Sequence, residues 1–162
     1  GEIAALEAWH RGGLRVIVAR PFIHTGPGQP PPYVVPSFIQ RLLGLRSAGS
    51  RSQVPTGNLD LVRDLLDVRD VVEAYLLLLE RGHAGETYNV ARGQGFTLRD
   101  IFQRIADEIG VKAEPMLDPA LVRPADIAHL VGDAGKLRET TGWSPVISLE
   151  QTLRDMVHAQ TH

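Results

Sequence analysis

Two arginines offer the plainest chemistry in these 162 residues. Arg63 stands beside Asp64, and Arg123 opens the run Arg123-Pro124-Ala125-Asp126. A guanidinium is planar, forked and always charged, so it can grip the oxygens of a diphosphate through paired hydrogen bonds. Each arginine also has an acidic neighbour, and an ion pair that merely holds a loop is the competing reading. Asp126 carries the same ambiguity, because a carboxylate accepts hydrogen bonds from a ribose diol as readily as it caps a loop. Asp67, Arg69 and Asp70 read differently. They stand where an extended run gives way to a helical one, so a helix cap with an ion pair is the expected role. His24 lies in the Pro- and Gly-dense stretch 20–32, directly after a β-branched run. In open α/β sheets that edge is where ligands sit.

Other chemistries are missing from the sequence. There is no cysteine, which removes disulfides, thiolate metal sites and a cysteine nucleophile. No G-x-G-x-x-G turn, no G-x-x-x-x-G-K-[ST] loop and no G-x-S-x-G elbow occurs, and no Tyr is followed four residues later by Lys. Gly26-x-Gly28 runs into Pro30-Pro31-Pro32 rather than into a helix. His158 and His162 are four apart but lack the acid of an H-E-x-x-H site, so no metal is expected. His10, His83 and His129 read as surface residues. With 17 Lys+Arg against 19 Asp+Glu, the net charge of −2 speaks against nucleic-acid or anionic-membrane partners held by bulk charge. No apolar run approaches the roughly 20 residues of a membrane-spanning helix. No signal-peptide pattern opens the chain, and a cytoplasmic location is expected.

The elements that must position these groups alternate between helix and strand. Residues 2–11 read as a helix stopped by Gly12-Gly13 and preceded by no N-cap; with Gly1 in place of Met, it reads as the tail of a longer helix. Leu14–Ala19 is a short buried-type strand. Val35, Phe38, Ile39, Leu42 and Leu43 fall on one face of a helix over 35–46. A strand from Gln53, a turn at Gly57–Asp60 and a helix over 71–80 follow. That helix is apolar almost all round and is expected to be sandwiched between layers. After a strand at 86–91, Thr97-x-x-Asp100 forms a capping box for a helix with Ile101, Ile105 and Ile109 as its core stripe. Ala113–Leu117 reads as a strand and Asp133 as the cap of a short helix to Thr141. Ser148-x-x-Gln151 opens a last helix containing Leu149, Leu153, Met156 and Val157.

These pieces, in this order, resemble one family. The carriers are Arg20–Gln29 (RPFIHTGPGQ), Val35-Pro36-Ser37-Phe38, Gly57–Asp60, Arg63-Asp64, Asp67–Asp70, Tyr88–Val90, Arg123–Asp126, Gly132-Asp133 and Gly142-Trp143-x-Pro145. Together they resemble the C-terminal half of extended short-chain dehydrogenases/reductases acting on nucleotide sugars, the NAD-dependent epimerase/dehydratase family. The likeness is greatest to its GDP-4-keto-6-deoxymannose reductases, favoured by Asp67-Val68-Arg69-Asp70, and next to its GDP-mannose 4,6-dehydratases. The implied fold is α/β: the C-terminal part of a Rossmann-type enzyme with its smaller mixed α/β substrate-binding domain. Residues 1–34 would be residual Rossmann core, and 35–162 mainly substrate domain, with segments of about 53–91 returning to the Rossmann sheet.

The resemblance also implies roles. Arg20, Pro21 and His24 would border an NAD or NADP cofactor. Val35, Pro36 and Ser37 would cover the sugar nucleotide, Arg63 and Arg123 would hold its diphosphate, and Asp126, reached through Pro124 and Ala125, would touch the nucleotide. The family usually carries Asn before the His of this loop, where Ile23 stands here. In the complete enzyme the implied chemistry is hydride transfer at C4 of a GDP-linked hexose, with Tyr as acid/base and Lys lowering its pKa. That pair would lie upstream of Gly1, so no catalytic residue is assigned in this chain and no turnover is expected from it alone. A homodimer through the helix of residues 2–11 is implied. Val16, Val18 and the 71–80 helix are expected to present apolar faces, and hence self-association. A dehydratase or epimerase, and a non-catalytic sugar-nucleotide-binding module, are the alternatives.

Overall fold

A computed structural model describes residues 1–48, 52–122 and 126–161. Helix α1 (Glu2–His10) runs out at Gly12, which takes φ +76°, a value side chains resist. Strand β1 (Val18–Pro21) is shorter and later than the β-branched run suggests. Its parallel partner is β6 (Thr87–Val90), and Val18 N–H donates to Glu86 O at 3.0 Å where the ladder opens. Upstream, Gly85, φ +87°, still donates its N–H to Val16 O at 2.7 Å, but no described strand pairs with residues 14–17.

Two more parallel pairs follow, β2 (His24–Thr25) with β5 (Leu66–Asp67) and β3 (Ser52–Thr56) with β8 (Ala113–Leu117). Strand β4 (Val62–Asp64) lies between antiparallel β7 (Gly95–Thr97) and parallel β9 (His129–Leu130). The remaining helices are α2 (Val34–Ala48), α3 (Val68–Arg81), α4 (Leu98–Ile109), α5 (Gly135–Thr141) and α6 (Leu149–Thr161). Among the described residues, no helix is long and apolar enough to cross a membrane.

The apolar stripes gather into two cores. One joins α2, α4 and α6 through Ile39, Leu42, Ile101, Ile105 and Leu153, with Phe38 and Phe102 edge to face at 5.4 Å. The other sets Val71, Leu78, Leu137 and Trp143 around the fully buried Tyr88. Helix α3 is not sandwiched between layers; it shows the exposed apolar face that the family resemblance implies. Val71, Ala74 and Leu78 are buried, but Val72 and Leu76 are each 52% exposed and Leu79 80%. It rests on the β2–β5 pair and on α5, and among the described residues no layer covers its outer side.

Caps follow the sequence with one adjustment. Thr97 and Asp100 form the reciprocal capping box of α4, and Gln151 N–H donates to Ser148 Oγ at 3.1 Å. Asp133 stands one place before Ala134, the N-cap of α5, and still accepts Gly135 N–H at 2.7 Å.

The three acids of the Arg63–Asp70 stretch are buried fasteners. Asp64 accepts the backbone N–H groups of Arg92 (2.9 Å), Gly93 (2.8 Å) and Gly132 (3.2 Å). Asp70 accepts those of Val146 and Ile147, both at 3.2 Å. Asp67 caps α3 through Arg69 N–H, pairs with the Arg69 guanidinium and accepts the Thr152 hydroxyl of α6, each at 2.8 Å. Burial pushes the Asp67 carboxyl up, but these donors together outweigh it and hold the group below the ordinary carboxylate value. A lowered folded-state pKa contributes stability above the unfolded value, near 4, and loses it as pH falls through the folded one. Asp67→Asn is therefore expected to lower stability by about 2 kcal/mol at pH 7, discounted because Arg69 is half exposed and keeps Asp155. The deficit should shrink below about pH 4, which denaturant melts at pH 7 and pH 3.5 will show.

Candidate functional site

A cleft of about 640 Å³ opens where the loop after β1, the first half of α2 and the segment 57–65 converge. Helix α2 presents Val34, Ser37, Phe38 and Arg41 to it, the i, i+3, i+4, i+7 face of a helix. Pro36 is accommodated in the first turn of that helix, where its missing N–H costs no intrahelical bond. On the opposite wall Gly57 must lack a side chain. A Cβ there would lie 2.6 Å from Leu121 O, in the short 3-10 turn Pro119–Leu121 that closes this end.

His24 is held by its own loop. Its Nδ1 lies 3.0 Å from Phe22 O, and a carbonyl only accepts, so Nδ1 carries the proton and Nε2 of the neutral ring is an acceptor. Gln29 ties the loop down, donating from Nε2 to His24 O at 3.3 Å and accepting the buried Thr25 hydroxyl. Thr25 Oγ1 in turn lies 3.2 Å from Met156 Sδ on α6.

Arg63 is the centre of the site's electrostatics. Its side chain is only 11% exposed, and Nη1 donates to Val62 O at 2.8 Å and Ile127 O at 2.7 Å. Nη2 lies 3.7 Å from Asp126 Oδ1, beyond hydrogen-bond length. The ion pair is loose, and Nε and Nη2 have no hydrogen-bond partner among the described residues. A preset fork with two free donors suits a phosphate oxygen pair.

The structure thus brings Pro21, His24, Val35, Ser37, Arg63 and Asp126 to one cleft. Pro36 is buried behind it. Arg20 stands apart, exposed, with Nε donating to Glu2 Oε2 on α1 at 3.0 Å. Strand alternation sends it and Pro21 to opposite faces. This pairing raises the Arg20 pKa and lowers that of Glu2. Arg123, Pro124, Ala125 and His162 lie outside the described residues. Among those described, no group of three or more His, Cys, Asp or Glu is placed to hold a metal. Ile23, 36% exposed, puts hydrocarbon on the cleft wall. Gln29 and Asn58, inside quoted motifs, and Tyr33 and Arg41 are on the lining too, with no site role read for them from the sequence. For Arg41 the signal was its place four residues after Ser37.

The family model described as GDP-mannose 4,6 dehydratase matches residues 2–156. The chain belongs to that family. It is 41% identical over 142 residues to the GDP-6-deoxy-D-mannose reductase of Pseudomonas aeruginosa, covering 88% of this chain and 47% of the relative. It is 32% identical over 121 residues to GDP-mannose 4,6 dehydratase 2 of Arabidopsis thaliana, 74% of this chain and 32% of that one. The solved structure of RMD from Pseudomonas aeruginosa complexed with NADPH superposes at TM-score 0.90 with 36% identity, over 98% of this chain and 52% of that chain. The fold is therefore that of the extended short-chain dehydrogenases/reductases, as the motifs indicate. This family member spans about half the length of the Pseudomonas proteins it matches.

Proposed function

We propose that this chain is the nucleotide-sugar-binding, C-terminal half of an NAD(P)-dependent reductase that converts a GDP-4-keto-6-deoxymannose at C4. The observation that carries the reading is the preset, half-used fork of Arg63 in a cleft large enough for a nucleotide sugar. The likeness to a GDP-6-deoxy-D-mannose reductase supports it. Arg63 grips the diphosphate, and Asp126 beside it accepts from the ribose diol. Val35 and Ser37 cover the ligand from α2. We assign Arg123, Pro124 and Ala125 to the same binding run from the family likeness.

The residues present fit one end of a nicotinamide cofactor. Pro21 and His24 border the cleft, and with Nδ1 engaged His24 keeps Nε2 as an acceptor that would suit an amide N–H, whereas the 162 residues hold no Gly-rich turn for a pyrophosphate. When bound, a reduced nicotinamide supplies hydride. Arg20, spent on Glu2, would act by anchoring α1 to β1 rather than by touching the cofactor. We assign residues 1–34 and the part of 53–91 that joins them to the dinucleotide-binding sheet, and 35–162 mainly to the substrate domain; the two separate cores support the division. A cytoplasmic homodimer using α1 completes the proposal.

A chimera tests it. The first half of the Pseudomonas reductase, joined ahead of residue 1, is expected to oxidise NADPH with GDP-4-keto-6-deoxymannose, while the 162-residue chain alone shows no turnover. Loss of water from GDP-mannose by the chimera, without that reduction, would favour the dehydratase instead. A folded chimera that binds both ligands and does neither would leave a non-catalytic binding module.

A further inference from the structure

Arg41 is the second guanidinium of the cleft, and no motif singles it out. It projects from the cleft face of α2, half buried, and one donor, Nη1, is committed to Pro55 O at the end of β3. No carboxylate pairs with it among the described residues, unlike Arg63. The tether to a strand carbonyl engages Nη1, and Nε and Nη2, two parallel donors, have no hydrogen-bond partner among the described residues. The turn at Gly57–Asp60, on the same lining, adds a third donor. Asn58 Oδ1 is used by Asp60 N–H at 2.9 Å, so Asn58 Nδ2 is the polar group it has left. Asn58 is exposed on the cleft lining, and Gly57 before it packs on Leu121 O.

At this end of the cleft the charged group is Arg41, a paired donor, and Asn58 Nδ2 is a further donor on the same lining. The complementary ligand edge carries two adjacent acceptors. Among nucleobases the Hoogsteen edge of guanine has that pattern, O6 beside N7, whereas adenine sets an N6 donor beside its N7 and pyrimidines lack N7. With the diphosphate on Arg63, we infer that Arg41 reads guanine through O6 and N7 and so selects GDP-linked over UDP- or ADP-linked sugars. The inference rests on the nucleotide-sugar reading of the cleft and adds a specificity-determining residue to it.

The test is calorimetric titration of the 162-residue chain, wild type and Arg41→Ala, with GDP, 7-deaza-GDP and UDP. Replacing N7 by CH removes one acceptor and leaves the diphosphate untouched. Wild type is expected to bind 7-deaza-GDP about tenfold more weakly than GDP, the lower part of the range for a bidentate Arg–guanine pair. Arg41→Ala should bind GDP more weakly by at least that factor, show no further loss with 7-deaza-GDP, and leave UDP binding unchanged. Arg41→Lys, which can keep the Pro55 tether but not the fork, guards against a folding defect and should lose the same discrimination. Equal weakening of GDP and UDP in Arg41→Ala, or a wild type indifferent to N7, would overturn the assignment to Arg41 alone. A wild type that binds no nucleoside diphosphate would overturn the nucleotide-sugar reading and Arg41's role with it.

Discussion

Arg63→Ala is expected to weaken GDP binding by about 10–100-fold with little change in fold. A charge-assisted hydrogen bond contributes about 1.5–3 kcal/mol, and each 1.4 kcal/mol is tenfold in affinity. The effect sits at the upper end for three structural reasons. The side chain is 11% exposed, its orientation is set by the Val62 and Ile127 carbonyls before any ligand arrives, and its ion pair with Asp126 is too loose to compete. Arg63→Lys keeps the charge but not the fork, so it should recover only part of the loss. Because the proposed binding mode sets Arg63 on the diphosphate and not the base, GDP and UDP should suffer alike. A titration in which the Ala variant binds GDP as tightly as wild type would remove Arg63 from the site.

Asp64→Ala is expected to cost about 3–5 kcal/mol, a large share of the stability of a chain this size. The Asp64 carboxylate, 1% exposed, is the common acceptor for Arg92, Gly93 and Gly132 N–H. Removing it orphans three buried donors at once, each worth about 1–3 kcal/mol when unpaired. Gly132 has no room to move, since a Cβ there would already meet Ala91 and Phe22 within 2.7 Å. The damage should spread to the cleft, because Arg63 precedes Asp64 on β4. Asp64→Asn retains one acceptor oxygen and turns an NH2 toward a backbone N–H, so it should fall between the two. Urea melts of the three proteins measure this directly; a wild-type midpoint in Asp64→Ala would refute the fastening role.

Much of this architecture is legible in residue spacing because it depends on local rules. Ile101, Ile105 and Ile109 at four-residue intervals, and the Thr97–Asp100 box ahead of them, specify α4 and its buried face without any knowledge of what packs there. Asp67 before a helical run reads as a cap, and it is one. The site was partly legible: Arg63 stands out by type and by its acidic neighbours. Arg41 does not, since an arginine on a helix ordinarily lays its stem along the surface with its head in water. Only the approach of β3 to α2 turns its head into a cleft. Arg20 shows the reverse. It adjoins Pro21 and His24 in sequence, but an extended chain alternates its faces, and Arg20 meets Glu2 of a helix eighteen residues away. The outer face of α3 marks the same boundary, because periodicity reports that Val72, Leu76 and Leu79 are apolar and says nothing of what lies against them.

Calorimetric titration of the 162-residue chain with GDP, repeated in the presence of saturating GDP-mannose, addresses the central claim most directly. The account predicts saturable one-to-one binding of GDP that GDP-mannose abolishes and that Arg63→Ala weakens at least tenfold. A folded chain that releases no heat with millimolar GDP, or binds it undisturbed by GDP-mannose, would contradict it.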